Sequence, residues 1–115
     1  MSMPTDLADC SATQLLDLYR SGQASPVQAT QAVLARIDRH NPTLRAFCLV
    51  AHEDALASAR ASEARWQAGA PCGPLDGVPT SIKDLILTRG WPTLRGSRTV
   101  DPNQPWDVDA PVTAR

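Results

Sequence analysis

Proline and alanine divide this chain at about residue 70. Fifteen of its seventeen alanines lie in residues 1–70, whereas seven of its ten prolines, from Pro71 to Pro111, follow. Alanine favours helix, and proline removes a backbone donor and fixes φ. Residues 1–70 are therefore expected to be mainly helical and residues 71–115 to form strand and tight loops, an α/β arrangement. At 115 residues the chain is the size of one modest domain, and no internal repeat is visible in it.

Three helices are readable in the front half. The first opens at Ser11, where Ser11 and Gln14 have capping-box spacing and Ala12, Leu15, Leu16 and Tyr19 form one apolar face. Gly22 can end it. The second has Ser25 as N-cap, Pro26 at the first helical position and Gln28 completing a box, with Val27, Val33, Leu34 and Ile37 facing inward. Arg36, Arg39 and His40 would sit in its last turn, and Asn41-Pro42 should stop it. The third spans residues 53–68, packs through Leu56, Ala59 and Trp66, and has Gly69 beyond its end. His52, at its entrance, reads as a surface or capping residue.

Two strands are expected. Arg45–Val50 has suitable length and composition, and Val78–Leu87, after the turn pairs Gly73-Pro74 and Asp76-Gly77, is apolar enough for the interior of a sheet. Asp107–Val112 reads as the approach to another helix with Asp109 as its cap, which suggests the front of something longer.

Charge and cysteine usage exclude several functions. Eleven Lys and Arg against twelve Asp and Glu leave a net charge of −1, without the basic excess that nucleic acid or anionic lipid requires. No apolar run approaches the ~20 residues of a membrane span, and the first residues lack the basic and apolar regions of an export signal. Cys10, Cys48 and Cys72 form no CxxC pair and fit reduced thiols in a cytoplasm. His40 and His52 carry no metal-ligand spacing, and the proline in Asn41-Pro42-Thr43 disqualifies it as a glycosylation acceptor.

Lys83 is the only lysine, set against ten arginines. On a solvated surface the two residue types are interchangeable, but a group that must gain and lose a proton cannot be arginine. Lys83 is therefore a candidate acid–base residue. The competing reading is an ion pair with Asp84 or a side chain that reaches the surface from the strand end, and a local Ser81/Lys83 dyad on one strand face is a further alternative, without an evident oxyanion hole. No nucleophile elbow, Ser-x-x-Lys motif or phosphate loop is present.

The block Gly73-Pro-Leu-Asp-Gly-Val-Pro-Thr-Ser-Ile-Lys-Asp84, followed by Gly90-x-Pro-Thr93, Gly96-Ser97 and Asp109-Ala-Pro-Val112, resembles the amidase signature family. Ser11-Ala-Thr-Gln-Leu-Leu, Arg20-Ser-Gly22, Ser25-Pro, Leu34-Ala-Arg-Ile-Asp38 and Asn41-Pro are similar to that family's N-terminal helices, so the resemblance covers nearly the whole chain. It implies the N-terminal part of an α/β/α fold around a mixed sheet, and amide hydrolysis by a Ser–cis-Ser–Lys triad. Lys83 maps to the triad lysine. Asp84, Gly77, Pro79, Thr93, Gly96 and Ser97 map to supporting motif positions.

Both triad serines belong to a Gly/Ser-rich segment that has no counterpart here, so these residues alone should be inactive. Thr80 and Ser81 replace commonly apolar residues, and Leu94-Arg95 stand where small residues often follow. The resemblance implies a small-molecule amide substrate, no cofactor and no metal; a homodimer is allowed but not required. The alternatives are the A-subunit of a tRNA-dependent amidotransferase, from which Trp91-Pro-Thr-Leu-Arg95 points away toward free-standing amidases, and a non-catalytic folding or interaction module or pseudoenzyme.

Overall fold

In a computed structural model, which describes residues 4–115, two serines set the helical starts as their spacing requires. Ser11 Oγ accepts the N–H of Gln14 while Gln14 Oε1 accepts that of Ser11, and Ser25 and Gln28 repeat the exchange. Each box satisfies two otherwise unpaired donors. The elements are a 3-10 helix Leu7–Asp9, then α1 (Ala12–Ser21), α2 (Pro26–Leu44), α3 (His52–Gln67) and α4 (Pro111–Ala114). They fall into two units, one ending at Pro79 and the other running Thr80–Arg115.

In the first unit, Leu15, Leu16, Tyr19 and Ala29 form a buried cluster, covered by Leu7, Cys10, Trp66 and Val78. Complete burial of a leucine contributes about 1.5–3 kcal/mol, so this small cluster is the main apolar anchor. Tyr19 and Trp66 meet with ring centroids 5.8 Å apart and planes tilted by 57°, a favoured aromatic geometry. Leu18 is also buried, whereas Ala12, expected on the same face, is exposed. On α2 the tightly buried residues are Pro26, Ala29 and Thr30; Val33, Leu34 and Ile37 are only half-covered.

The second helix passes its expected stop. Pro42 lies inside α2, which continues to Leu44, with Arg45 left-handed at φ 50°. The Asn41 carboxamide accepts the N–H of Phe47 at 2.9 Å and donates to its carbonyl at 3.0 Å, while Arg45 N–H closes on Asn41 O at 2.7 Å. These bonds hold the last turn together although Pro42 has no N–H of its own. They also occupy both backbone groups of Phe47 that a strand would have used. Arg45–Val50 is accordingly not a strand, and His40 lies short of the helix end.

Polar ties join the elements of this unit. Arg36 of α2 grips Asp6 at 2.6 Å and also Asp9, at either end of the 3-10 helix. His52 reaches Asp38 of α2 at 2.8 Å through Nε2 and lies 3.1 Å from Val50 O through Nδ1, so the residue read as a surface or capping group links α2 to the start of α3.

The expected mixed sheet is not present among the described residues. They contain no β-strand, only an isolated antiparallel bridge between Thr88 and Trp91. Val78–Leu87 has no neighbouring strand to complete its ladder, and it turns instead, Ile86 N–H bonding Lys83 O at 3.0 Å. Ile82 and Leu85 remain exposed. The second unit is a set of loops tied by backbone bonds, including Ala110 N–H to Leu87 O at 2.9 Å and Gly90 N–H to Trp106 O at 2.6 Å. Ala110, not Asp109, occupies the N-cap of α4; Asp109 Oδ1 instead accepts the N–H of Arg89 at 2.6 Å.

Candidate functional site

Lys83 begins the turn that ends at Ile86, and its side chain is exposed. Among the described residues it enters no ion pair. Asp84, its ion-pair partner in the competing reading, uses Oδ1 to accept the N–H of Leu94 at 3.0 Å. Thr93 is 3% exposed and donates its hydroxyl to Ile86 O at 3.4 Å. The turn thus brings Lys83, Asp84 and Thr93 into one bonded segment. No hydrogen bond links Ser81 to Lys83 among the described residues, and without a strand they share no strand face, so the local dyad is not formed.

Gly96 and Ser97 lie in the next turn. Arg95 and Gly96 both have positive φ, 57° and 64°, and Ser97 N–H closes on Leu94 O at 2.9 Å. Ser97 Oγ is 2.7 Å from Thr99 Oγ1 and accepts the Thr99 N–H at 3.2 Å. Its hydroxyl is committed to its own turn.

Gly77 and Pro79 belong to the first unit. At Gly77, φ is +88°, and a Cβ would stand 2.6 Å from Ser62 Oγ and 2.7 Å from Pro26 Cγ. Conformation and space both require glycine. Tyr19 donates its hydroxyl to Gly77 O at 2.9 Å, and burial pushes the phenol up to about 12. Next to it, Asp76 has a side chain 5% exposed that accepts from Ser62 Oγ at 2.8 Å, Arg65 Nε at 2.7 Å, Arg65 Nη2 at 2.6 Å and Cys72 N–H at 2.8 Å. The Arg65 guanidinium, followed by the Cys72 amide and the Ser62 hydroxyl, holds this carboxyl well below the usual carboxylate range despite its burial. Trp66 Nε1 donates to Asp76 O at 3.0 Å.

The Asp76 cluster escapes sequence reasoning. Asp76 stands in view inside a turn dipeptide, but Arg65 and Ser62 lie eleven and fourteen residues away, beyond any local pairing rule. Two grooves lie within the first unit. A groove of about 320 Å³ is lined by Val33, Ile37, Leu44 and Phe47 among others, and one of about 540 Å³ by Tyr19, Pro26, Glu63 and Trp66 among others. Among the described residues no three His, Cys, Asp or Glu side chains gather as metal ligands, and no helix is long and apolar enough to cross a membrane.

The profile of the family described as Amidase matches residues 28–115, and with them Lys83, Asp84 and the whole segment that turns around them. Among curated proteins the chain is 45% identical over 95 residues to the A-subunit of glutamyl-tRNA(Gln) amidotransferase from Myxococcus xanthus, covering 83% of this chain and 20% of that protein. It is 47% identical over 94 residues to the protein of the same name from Salinispora arenicola, covering 82% and 19% respectively. Against that of Streptomyces coelicolor it is 39% identical over 111 residues, covering 96% and 22%. The chain thus spans about a fifth of the length of these relatives. No solved structure gives a significant match. With a profile match over most of its length, and with the Gly-Pro-Leu-Asp-Gly-Val-Pro and Lys-Asp motifs inside that match, this chain belongs to the amidase family.

Proposed function

We propose that Lys83 is the proton-relaying base of an amide-transforming site. It withdraws a proton through a bridging serine so that a second serine attacks the amide carbonyl, and it returns a proton to the leaving amine. The observation that carries this is the position of Lys83: the sole lysine, within the family's Lys-Asp motif and without an ion-pair partner among the described residues. Serine and lysine supply these proton transfers without a cofactor. Both serines would come from outside these residues, as would the strands that could cover Ile82 and Leu85 and build the mixed sheet.

The names of the relatives favour the amidotransferase form of this chemistry over a free-standing amidase, despite the Trp91–Arg95 stretch. In that form the protein works in the cytoplasm in a complex with partner proteins, on an amide donor, and the complex rather than this weakly acidic segment engages a glutamyl-tRNA acceptor. Thr93 then supports the segment that carries Lys83 and Asp84, while Gly77, Pro79, Gly96 and Ser97 are motif positions of the family resemblance.

The test is turnover of a panel of primary amides by the intact protein and by Lys83→Ala and Lys83→Arg. Both variants should lose activity, since guanidinium does not release its proton at working pH. Retention by Lys83→Arg of more than about a tenth of kcat, a barrier change under ~1.4 kcal/mol, refutes the relay. Absence of turnover by the intact protein, alone and with any copurifying partner, supports the non-catalytic module instead.

A further inference from the structure

We infer that Asp84 is a positioning residue for Lys83 and acts through the backbone, not through its charge. This rests on the reading of Lys83 as the relay base. A carboxylate next to a lysine in sequence suggests an ion pair, yet Asp84 Oδ1 accepts the N–H of Leu94 at 3.0 Å, ten residues further on, and Lys83 has no ion-pair partner among the described residues. The bond closes a loop.

Two further bonds reinforce it. Lys83 O accepts the N–H of Ile86 at 3.0 Å, and Ile86 O accepts the hydroxyl of Thr93, which is 3% exposed. Residues 83–86 are thereby tied to residues 93–94 by one side chain from each end. Lys83 stands at the junction, so its backbone is fixed while its side chain remains unclaimed. That combination suits a relay base. A carboxylate in contact with an amine stabilises its charged form, and a charged amine cannot accept a proton. With its oxygen committed to a backbone N–H, Asp84 anchors the lysine without pairing with it.

The two roles separate by substitution. Asp84→Asn keeps a side-chain oxygen of the same reach for Leu94 N–H and removes the charge; Asp84→Ala removes both. Measured on the intact protein with a primary amide it turns over, Asp84→Asn should keep kcat within about fivefold with an unmoved pH profile, whereas Asp84→Ala should lose about thirtyfold or more in kcat with KM within about threefold. Equal losses in the two variants, or a pH profile displaced in Asp84→Asn, overturn the inference in favour of a charge role. Thermal unfolding of each variant accompanies the kinetics. Should Asp84→Ala fail to fold, Asp84→Asn alone decides: retained kcat supports the backbone role and a thirtyfold loss refutes it. Lys83→Ala run in parallel separates the two levels. Its retention of activity removes the relay reading itself, whereas its inactivity combined with failure of Asp84→Asn removes only the positioning role.

Discussion

Arg65 holds Asp76 side-on through two hydrogen bonds of 2.7 and 2.6 Å, the carboxylate 5% exposed and the guanidinium side chain 39% exposed. This asymmetry makes the pair a fastening for the loop rather than a surface ornament. An exposed ion pair contributes little, but a covered carboxylate that accepts four bonds leaves several donors unsatisfied if it is removed.

Asp76→Ala should therefore destabilise the protein by about 2–3 kcal/mol through loss of charge-assisted hydrogen bonds. Urea unfolding measures it. Because the folded carboxyl titrates below its ordinary value, its contribution is complete above about pH 4 and is lost as pH falls through the lower folded value. Asp76→Asn should flatten that acid-side decline, and an unchanged decline would rule out this source.

Gly77→Ala should cost about 2–4 kcal/mol, since the added methyl meets Ser62 Oγ and Pro26 Cγ at a positive φ. Ser62→Ala in the same background removes one obstacle but not the conformational cost. Rescue should therefore be partial; complete rescue would show that φ is unimportant here.

Tyr19→Phe keeps the aromatic contact with Trp66 and deletes only the bond to Gly77 O. A loss of about 1 kcal/mol is expected, consistent with one neutral hydrogen bond. A stability unchanged within measurement error would show that water replaces the hydroxyl without cost.

His52 should make stability pH-dependent on the alkaline side. Contact with the Asp38 carboxylate raises the affinity of His52 for its proton, and the adjoining Glu53 adds to the effect. With the folded value raised, the stabilisation is complete below the unfolded value of about 6.5 and is lost as pH rises through the folded value. The thermal midpoint should fall across that window in the natural protein and change less in His52→Ala. Parallel curves would sink the assignment.

Local rules make the helix starts legible. Ser11, Ser25 and Pro26 act within three residues of their partners, and no distant contact competes with them. The true end of α2 is hidden from such rules because Asn41 spends its side chain on Phe47, six residues away. The strand expected at Val78–Leu87 rests on apolar content alone, but a strand exists only with a neighbour, and none of the described residues supplies one. At the candidate site, the rarity of lysine singles out Lys83 before any geometry is considered. The engagement of Asp84 with Leu94 depends on the path of a loop that no short-range pattern encodes.

The fastening at Asp76 also sets a rule about length. Its carboxylate takes the amide of Cys72 on one side while the next carbonyl, that of Gly77, takes the hydroxyl of Tyr19. The number of residues from Cys72 to Gly77 is thereby fixed by two unrelated partners, one in the loop and one in α1. A single residue inserted between Cys72 and Gly77 should therefore be poorly tolerated, because it breaks one of these two attachments whichever side it falls on.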